Sequence, residues 1–179
     1  MPPKQRITRE MILERAFAMF CQEGMEAVNA RSVAKALNCS TQPIFSYYSG
    51  MEDLKSTLDA KAHALFDDAL KAALAVKGNP VDVCCAYLRF ACEQPRLFAH
   101  LFLRAGLDGR SLTDLAEMDA ALLAGVRSQI ADEQKSKDVC ASLLVYAHGL
   151  SALAATQGKS YDDDEAHAKL GAMLSVLCA

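Results

Sequence analysis

The sequence predicts an all-α protein of about nine helices. Three observations carry this. Of 179 residues, 31 are Ala and 23 are Leu, the residues that lead the helix propensity scale. Only 9 Gly and 5 Pro are present, too few to turn the many short strands of an all-β fold. Apolar residues recur at helical spacing along most of the chain. A chain of this length buries roughly 70% of its unfolded surface and needs neither disulfide nor metal to fold.

The elements follow in order. Thr8 N-caps a first helix with Ile12, Leu13, Ala16, Phe17 and Phe20 on its apolar side, and Gly24 stops it. Asn29 caps a second helix with Val33, Ala34 and Leu37 inward, and Asn38 ends it because Asn tolerates the left-handed conformation. Ser40 caps a third, from Thr41 to about Tyr47, with Pro43 in its first turn. Ser49 with Glu52 forms a capping box for the fourth helix, or Gly50 is its cap. That helix runs to about Val76 with Leu54, Leu58, Leu65, Ala69 and Ala73 as its stripe. Lys77-Gly-Asn-Pro80 breaks the chain, with Asn79 as cap and Pro80 at the first helical position. Further helices are expected at 80–93, 95–105, 111–132, 137–156 and 163–178, and the domains at 1–50 and 51–179.

Charge is uneven. Residues 1–50 carry Lys4, Arg6, Arg9, Arg15, Arg31 and Lys35 against Glu10, Glu14, Glu23 and Glu26, a surplus of two; with −3 for the whole chain, the remainder holds −5. A basic head on an acidic body suits a polyanion partner for the head. The polar start Met1-Pro-Pro-Lys-Gln-Arg6 lacks an apolar signal core, and the uncharged stretch Val139 to Gly158 carries His148, Gln157, Ser142, Ser151 and Thr156. A buried helix of a cytoplasmic protein is expected there, not a membrane span. The seven scattered Cys read as free thiols used as small apolar residues.

Residues 29–48 carry the chemistry: two short helices joined by Leu37-Asn-Cys-Ser40. In helix-turn-helix proteins the second helix enters the major groove of double-stranded DNA. Here it offers Ser40, Thr41, Gln42, Pro43, Phe45, Ser46 and Tyr47, and Gln makes a bidentate pair with adenine. Arg31 and Lys35 flank the same groove, the Tyr hydroxyls reach phosphate oxygens, and the N–H groups at the helix starts by Asn29 and Ser40 favour phosphate. An ordinary helical hairpin with an aromatic core would read similarly.

Residues 8–54 resemble the N-terminal domain of the TetR family of transcriptional regulators, through Ile12-Leu13, Ala16-Phe17, Phe20, Gly24, Ala27, Arg31, Val33-Ala34, Ser40-Thr-Gln-Pro-Ile-Phe-Ser-Tyr-Tyr48 and Glu52-Asp-Leu54. The resemblance implies an N-terminal three-helix helix-turn-helix domain joined by a long helix to a helical ligand-binding and dimerisation domain, and a homodimer on a palindromic operator, typically a repressor released by a small-molecule effector. Phe45 stands where the family often has Tyr, so one phosphate contact is in doubt; Tyr47 matches an exposed backbone-touching position, Tyr48 a core aromatic, Cys39 an apolar position, and Met51 replaces a common Lys. Gln94-Pro-Arg-Leu-Phe98 and Tyr146-Ala-His-Gly-Leu150 resemble a subgroup named for a Trp-His-Gly signature, with Tyr146 in place of the Trp.

For the body, candidate effector-lining residues are His63, Phe66, Tyr87, Phe90, His100, Phe102, Met118 and His148, each of which also reads as ordinary packing. Candidate dimer stripes are Leu143, Ala147, Leu150 and Ala154 on one helix and Ala166, Leu170, Met173, Leu174 and Leu177 on the last, which could equally pack on their own body. No metal or cofactor is expected: Cys85 and Cys92 stand about 10.5 Å apart along a helix axis, too far for one tetrahedral ion. Thiol redox sensing by Cys84 or Cys85 is an alternative. Asp162-Asp-Asp-Glu165 reads as a solvated, helix-starting acidic face. No GxSxG, phosphate loop, HExxH or dinucleotide fingerprint is present, so an enzyme is not expected. A DNA-binding architectural protein without an effector is the remaining alternative.

Overall fold

In a computed structural model, residues 7–75, 79–104 and 116–179 are described. Among them the chain is all helical, with nine α-helices, one 3-10 turn and no strand. They are α1 (Arg9–Glu23), α2 (Ala30–Ala36), α3 (Gln42–Tyr47), α4 (Met51–Ala75), α5 (Pro80–Glu93), α6 (Pro95–Phe102), α7 (Ala116–Arg127), α8 (Glu133–Gln157) and α9 (Asp163–Cys178), with the 3-10 turn at Met25–Ala27. The expected breaks at Lys77-Gly78 and from Gly106 to Arg110, and the expected helix start at 111, lie outside the described residues. Two compact units divide the chain, Met1–Ala64 and Leu65–Ala179.

In the first unit local chemistry sets the helix ends. The Thr8 hydroxyl accepts from the Met11 N–H, and Gly24 ends α1 at φ 93°, a conformation glycine adopts without strain. Asn29 and Ser32 form a reciprocal capping box, with N–H to side-chain distances of 3.0 and 3.1 Å. Asn38 has φ 52°, the left-handed stop its residue type favours. Thr41, with helical angles, takes the cap position of α3 in place of Ser40. α4 starts at Met51, so Gly50 holds the cap position and Asp53, not Glu52, accepts from the Ser49 N–H at 2.9 Å and the Ser49 hydroxyl at 3.2 Å. The core is Ile12, Ala16, Phe20, Val28, Val33, Ala34, Ile44 and Tyr48, with Leu54, Leu58 and Ala62 from α4.

Beyond Leu58 the buried stripe of α4 follows Ala62, Phe66 and Leu70, while Leu65 and Ala69 are exposed. Both continuations fit a 3.6-residue period; steps of four and steps of seven diverge only after two turns, and tertiary packing decides between them.

The second unit is built around α8, which packs against α5, α6, α7 and α9. By length and composition α8 is the single described helix able to cross a membrane, with mean hydropathy 1.5. Its apolar residues Val139, Leu143, Leu144, Ala147 and Ala154 are buried inside the unit, as expected of a core helix. It begins at Glu133, four residues before the expected start, because Asp132 caps it and the buried Ser136 hydroxyl bonds to the carbonyls of Ile130 and Asp132. α7 ends at Arg127 rather than 132 for the same reason: the chain needs residues 128–132 to turn. Cys84 and Cys85 of α5 and Cys140 of α8 are buried; burial pushes the Cys84 thiol far up and Cys85 to about 11, which suppresses thiolate chemistry at both.

A polar clasp joins α5 to α9. His167 Nε2 lies 3.0 Å from Asp82 Oδ1, and its Nδ1 lies 2.8 Å from the Asp163 carbonyl. Arg89 donates to Asp163 at 2.9 and 3.1 Å. Both ring nitrogens face acceptors, so only the imidazolium satisfies both. The Asp163 carbonyl first and the Asp82 carboxylate second raise the His167 pKa. A raised folded-state value means stability that is complete below the unfolded value near 6.5 and lost as pH rises through the folded one. The thermal midpoint of His167→Gln should therefore fall below wild type at pH 5.5 and converge on it in alkali. A difference that is constant or grows with pH would count against an imidazolium in the clasp. The ring is nearly half exposed, so the effect is small.

Candidate nucleic-acid interface

The sequence of α3 is Gln-Pro-Ile-Phe-Ser-Tyr, six residues held to the first unit by one face. Ile44 is wholly buried and Tyr48, just past the helix, is 1% exposed. Those two anchors, four residues apart, fix the rotation of the helix about its axis. Gln42 and Ser46 consequently stand on the opposite side, with Pro43 and Tyr47 on one flank and Phe45 on the other. Phe45 is 52% exposed and Tyr47 39%, so unit 1 presents two aromatic rings outward from a helix that has no charged residue.

Hydrogen bonds tie down part of this surface. The Ser46 hydroxyl donates to the Gln42 carbonyl at 3.0 Å, and the Tyr47 hydroxyl donates to the Ile7 carbonyl at 3.3 Å. That second bond crosses 40 residues and gives no sign in the sequence. Its consequence is chemical: the one proton of the Tyr47 hydroxyl is already engaged, so a phosphate must displace the Ile7 carbonyl to receive it. A groove of about 830 Å³ runs beside α3, lined by Ile7 and Met11 on one side and by Asn38 to Ser40, Gln42, Pro43, Ser46 and Tyr47 on the other. Cys39 is half-buried in its wall and Ser40 is exposed. Arg31 and Lys35 are exposed on α2 and do not line the groove. Behind α3, the Arg9 guanidinium lies 5.0 Å from the Tyr48 ring centre, a cation–π contact that the sequence did not signal.

The body residues divide differently. Phe66, Tyr87, Phe90, Phe98, Phe102 and His148 gather into one aromatic cluster with ring centres 4.9 to 6.2 Å apart. At its centre Tyr87, 0% exposed, places its hydroxyl 2.9 Å from His148 Nδ1. Burial lowers the His148 pKa and raises that of Tyr87, so a neutral ring accepts from a neutral hydroxyl. Phe98, not among the residues expected to line an effector, joins the cluster through Tyr87, Phe102 and His148. His63 belongs instead to the first unit, 3.6 Å from Asp59; His100 is half-buried on α6. The Met118 side chain lies outside the described residues.

Of the candidate dimer residues, Leu143, Ala147 and Leu170 are wholly buried and Leu174 is 7% exposed, so the second unit's own helices cover them. Leu150, Met173 and Leu177 are half-buried. The outward apolar surface of α8 and α9 is carried by Val145, Leu153 and Val176, 65%, 37% and 72% exposed, and Val176 lines a groove of about 420 Å³ with Tyr146, Ala168, Lys169, Ala172 and Met173. One side of a stripe at helical spacing cannot be told from the other without the partner helices.

The chain matches no family model. It is 24% identical over 107 residues to an uncharacterized HTH-type transcriptional regulator, YobS, of Bacillus subtilis, covering 58% of this chain and 56% of that protein. The chain thus spans about half the length of the curated relative it matches. Among solved structures it is similar to a TetR-like transcriptional regulator from Rhodococcus sp. RHA1, with a TM-score of 0.64 at 16% identity over 95% of this chain and 97% of the other. It is more distantly similar to Thermus thermophilus FadR, a TetR family transcriptional repressor in complex with lauroyl-CoA, with a TM-score of 0.42 at 20% identity over 95% and 93%.

Proposed function

Starting from the fold of a TetR-like transcriptional regulator, we propose that this chain is a cytoplasmic, homodimeric repressor that reads a palindromic operator in double-stranded DNA and is released by a small-molecule effector. The observation that carries the reading is α3, a short helix anchored by Ile44 and Tyr48 that exposes Gln42, Phe45, Ser46 and Tyr47 together. Such an arrangement suits a recognition helix whose exposed side chains meet base edges. Arg31 and Lys35 on α2, with Ser40, Thr41, Pro43 and Tyr47 around α3, supply phosphate and groove contacts. Residues 1–50 form the DNA-binding part and 51–179 the effector and dimerisation part, the latter with the loose likeness to the Trp-His-Gly subgroup.

Dimerisation is assigned to α8 and α9, across Leu150, Met173 and Leu177 and the exposed Val145 and Val176, with Leu143, Ala147, Leu170 and Leu174 as the layer beneath. The effector is assigned to the aromatic cluster of Phe66, Tyr87, Phe90 and Phe102, whose buried Tyr87–His148 pair would orient one polar group of a largely apolar molecule. Release requires that the effector bind two conformers of the dimer with different affinity.

The test is a fluorescence anisotropy titration on the DNA upstream of the chain's own gene, at two salt concentrations. Saturable binding that resists competitor DNA is expected, and Tyr47→Ala should weaken it. Arg31→Ala or Lys35→Ala should each lower the logarithmic salt slope by about 0.9 if that residue meets a phosphate. Binding that neither saturates nor depends on Tyr47 would overturn the reading.

A further inference from the structure

We propose that α3 selects A·T base pairs in each half-site, with Gln42 pairing to an adenine and Phe45 lying against a thymine methyl. This inference rests on the reading of the first unit as a duplex-DNA reader and adds what is read.

α3 lacks the side chains that read a G·C pair. Guanine is read in the major groove by the forked donors of Arg or by Lys, and cytosine by a carboxylate that accepts from its amino group. Between Gln42 and Tyr47 there is no Arg, Lys, Asp or Glu. The side chains that favour G·C are therefore missing from the helix. Those that favour A·T are present: an amide, which matches adenine's N6–H and N7, and an apolar ring, which suits the thymine methyl, the one apolar group on the major-groove edge.

Placement selects among these side chains. Burial of Ile44 and Tyr48 turns Gln42 and Ser46 outward, with Phe45 beside them. The Ser46 proton goes to the Gln42 carbonyl and the Tyr47 proton to the Ile7 carbonyl. The Gln42 side chain makes no hydrogen bond among the described residues, so its carbonyl and amino group are both available to a base edge. Phe45 keeps half its surface in water, an unfavourable arrangement in the free protein that a methyl contact relieves. The cations Arg31 and Lys35 are exposed on α2 and do not line the groove beside α3, and the proposal gives them to phosphates.

The experiment uses the full chain and a random duplex library. Selected sites should carry A·T at the positions whose preference relaxes in Gln42→Ala. At the Gln42-dependent position, changing A·T to G·C should weaken wild type about tenfold and Gln42→Ala hardly at all. Replacing the half-site thymine by deoxyuridine, which removes only the methyl, should weaken wild type about fourfold, the equivalent of one buried methylene. Phe45→Ala should be indifferent to that replacement. Both side chains are exposed, so both variants should keep wild-type far-UV helicity. An enriched site with G·C at the Gln42-dependent positions, or a methyl effect that survives Phe45→Ala, would overturn the inference and leave the DNA-reader reading intact. A library that yields no enriched sequence would overturn both.

Discussion

Tyr87→Ala should be among the most damaging single changes in the second unit, costing about 3–5 kcal/mol and lowering the thermal midpoint by roughly 6–20 °C. Tyr87 is 0% exposed and its ring touches Phe66, Phe98 and Phe102, at centre distances of 5.2 to 5.8 Å. Truncation removes the body of the cluster and leaves His148 Nδ1 without its donor. Tyr87→Phe separates the two contributions. It keeps the ring and deletes only the hydroxyl, so it should cost about 1–2 kcal/mol, the value of a buried hydrogen bond whose partner is stranded. Chemical denaturation of the three proteins, with equal slopes, would test the split. Equal losses in the two variants would mean that the ring packing contributes little, and a harmless Tyr87→Phe would mean that water reaches His148 freely.

Ile44→Ala carries the second large effect. Isolated helices shorter than about 12–15 residues are marginal in water, so the six-residue α3 depends on its buried face. That face is Ile44 and Tyr48. The truncation should destabilise the first unit by about 2–5 kcal/mol, whereas Ile44→Val should cost only about 0.5–1.5 kcal/mol. On the proposed reading, sequence-specific DNA binding should disappear in the first variant and survive in the second, because Gln42, Phe45 and Ser46 share the rotation that Ile44 sets. Wild-type affinity of Ile44→Ala for a selected duplex would show that contact with DNA, not the core, positions α3.

Much of this was legible in the sequence because it is local. Thr8, Gly24, Asn29, Asn38, Asn79 and Gly158 end or start helices by chemistry within a few residues. The α3 surface was legible for the same reason: its exposed residues lie within one short segment. What was missed is what needs a partner from elsewhere. The early start of α8 at Glu133 hides behind a polar first turn, since Glu-Gln-Lys-Ser-Lys-Asp shows no apolar period before Val139. The stripe of α4 past Leu58 and the covered side of Leu143, Ala147 and Leu170 depend on which helix arrives to pack. Tyr47 with Ile7 and Tyr87 with His148 are pairs 40 and 61 residues apart, joined by tertiary structure alone.

The thiols buried in the second unit make it a recorder of its own breathing. Cys84 has no exposed surface, and its raised pKa leaves almost no thiolate at neutral pH. An alkylating reagent can reach it only while α5 is transiently released from its neighbours. Once the half-buried Cys21, Cys39, Cys92 and Cys178 have been blocked, slow incorporation of label counts opening events one molecule at a time. An effector that settles into the body would slow that clock, with no need to know the operator.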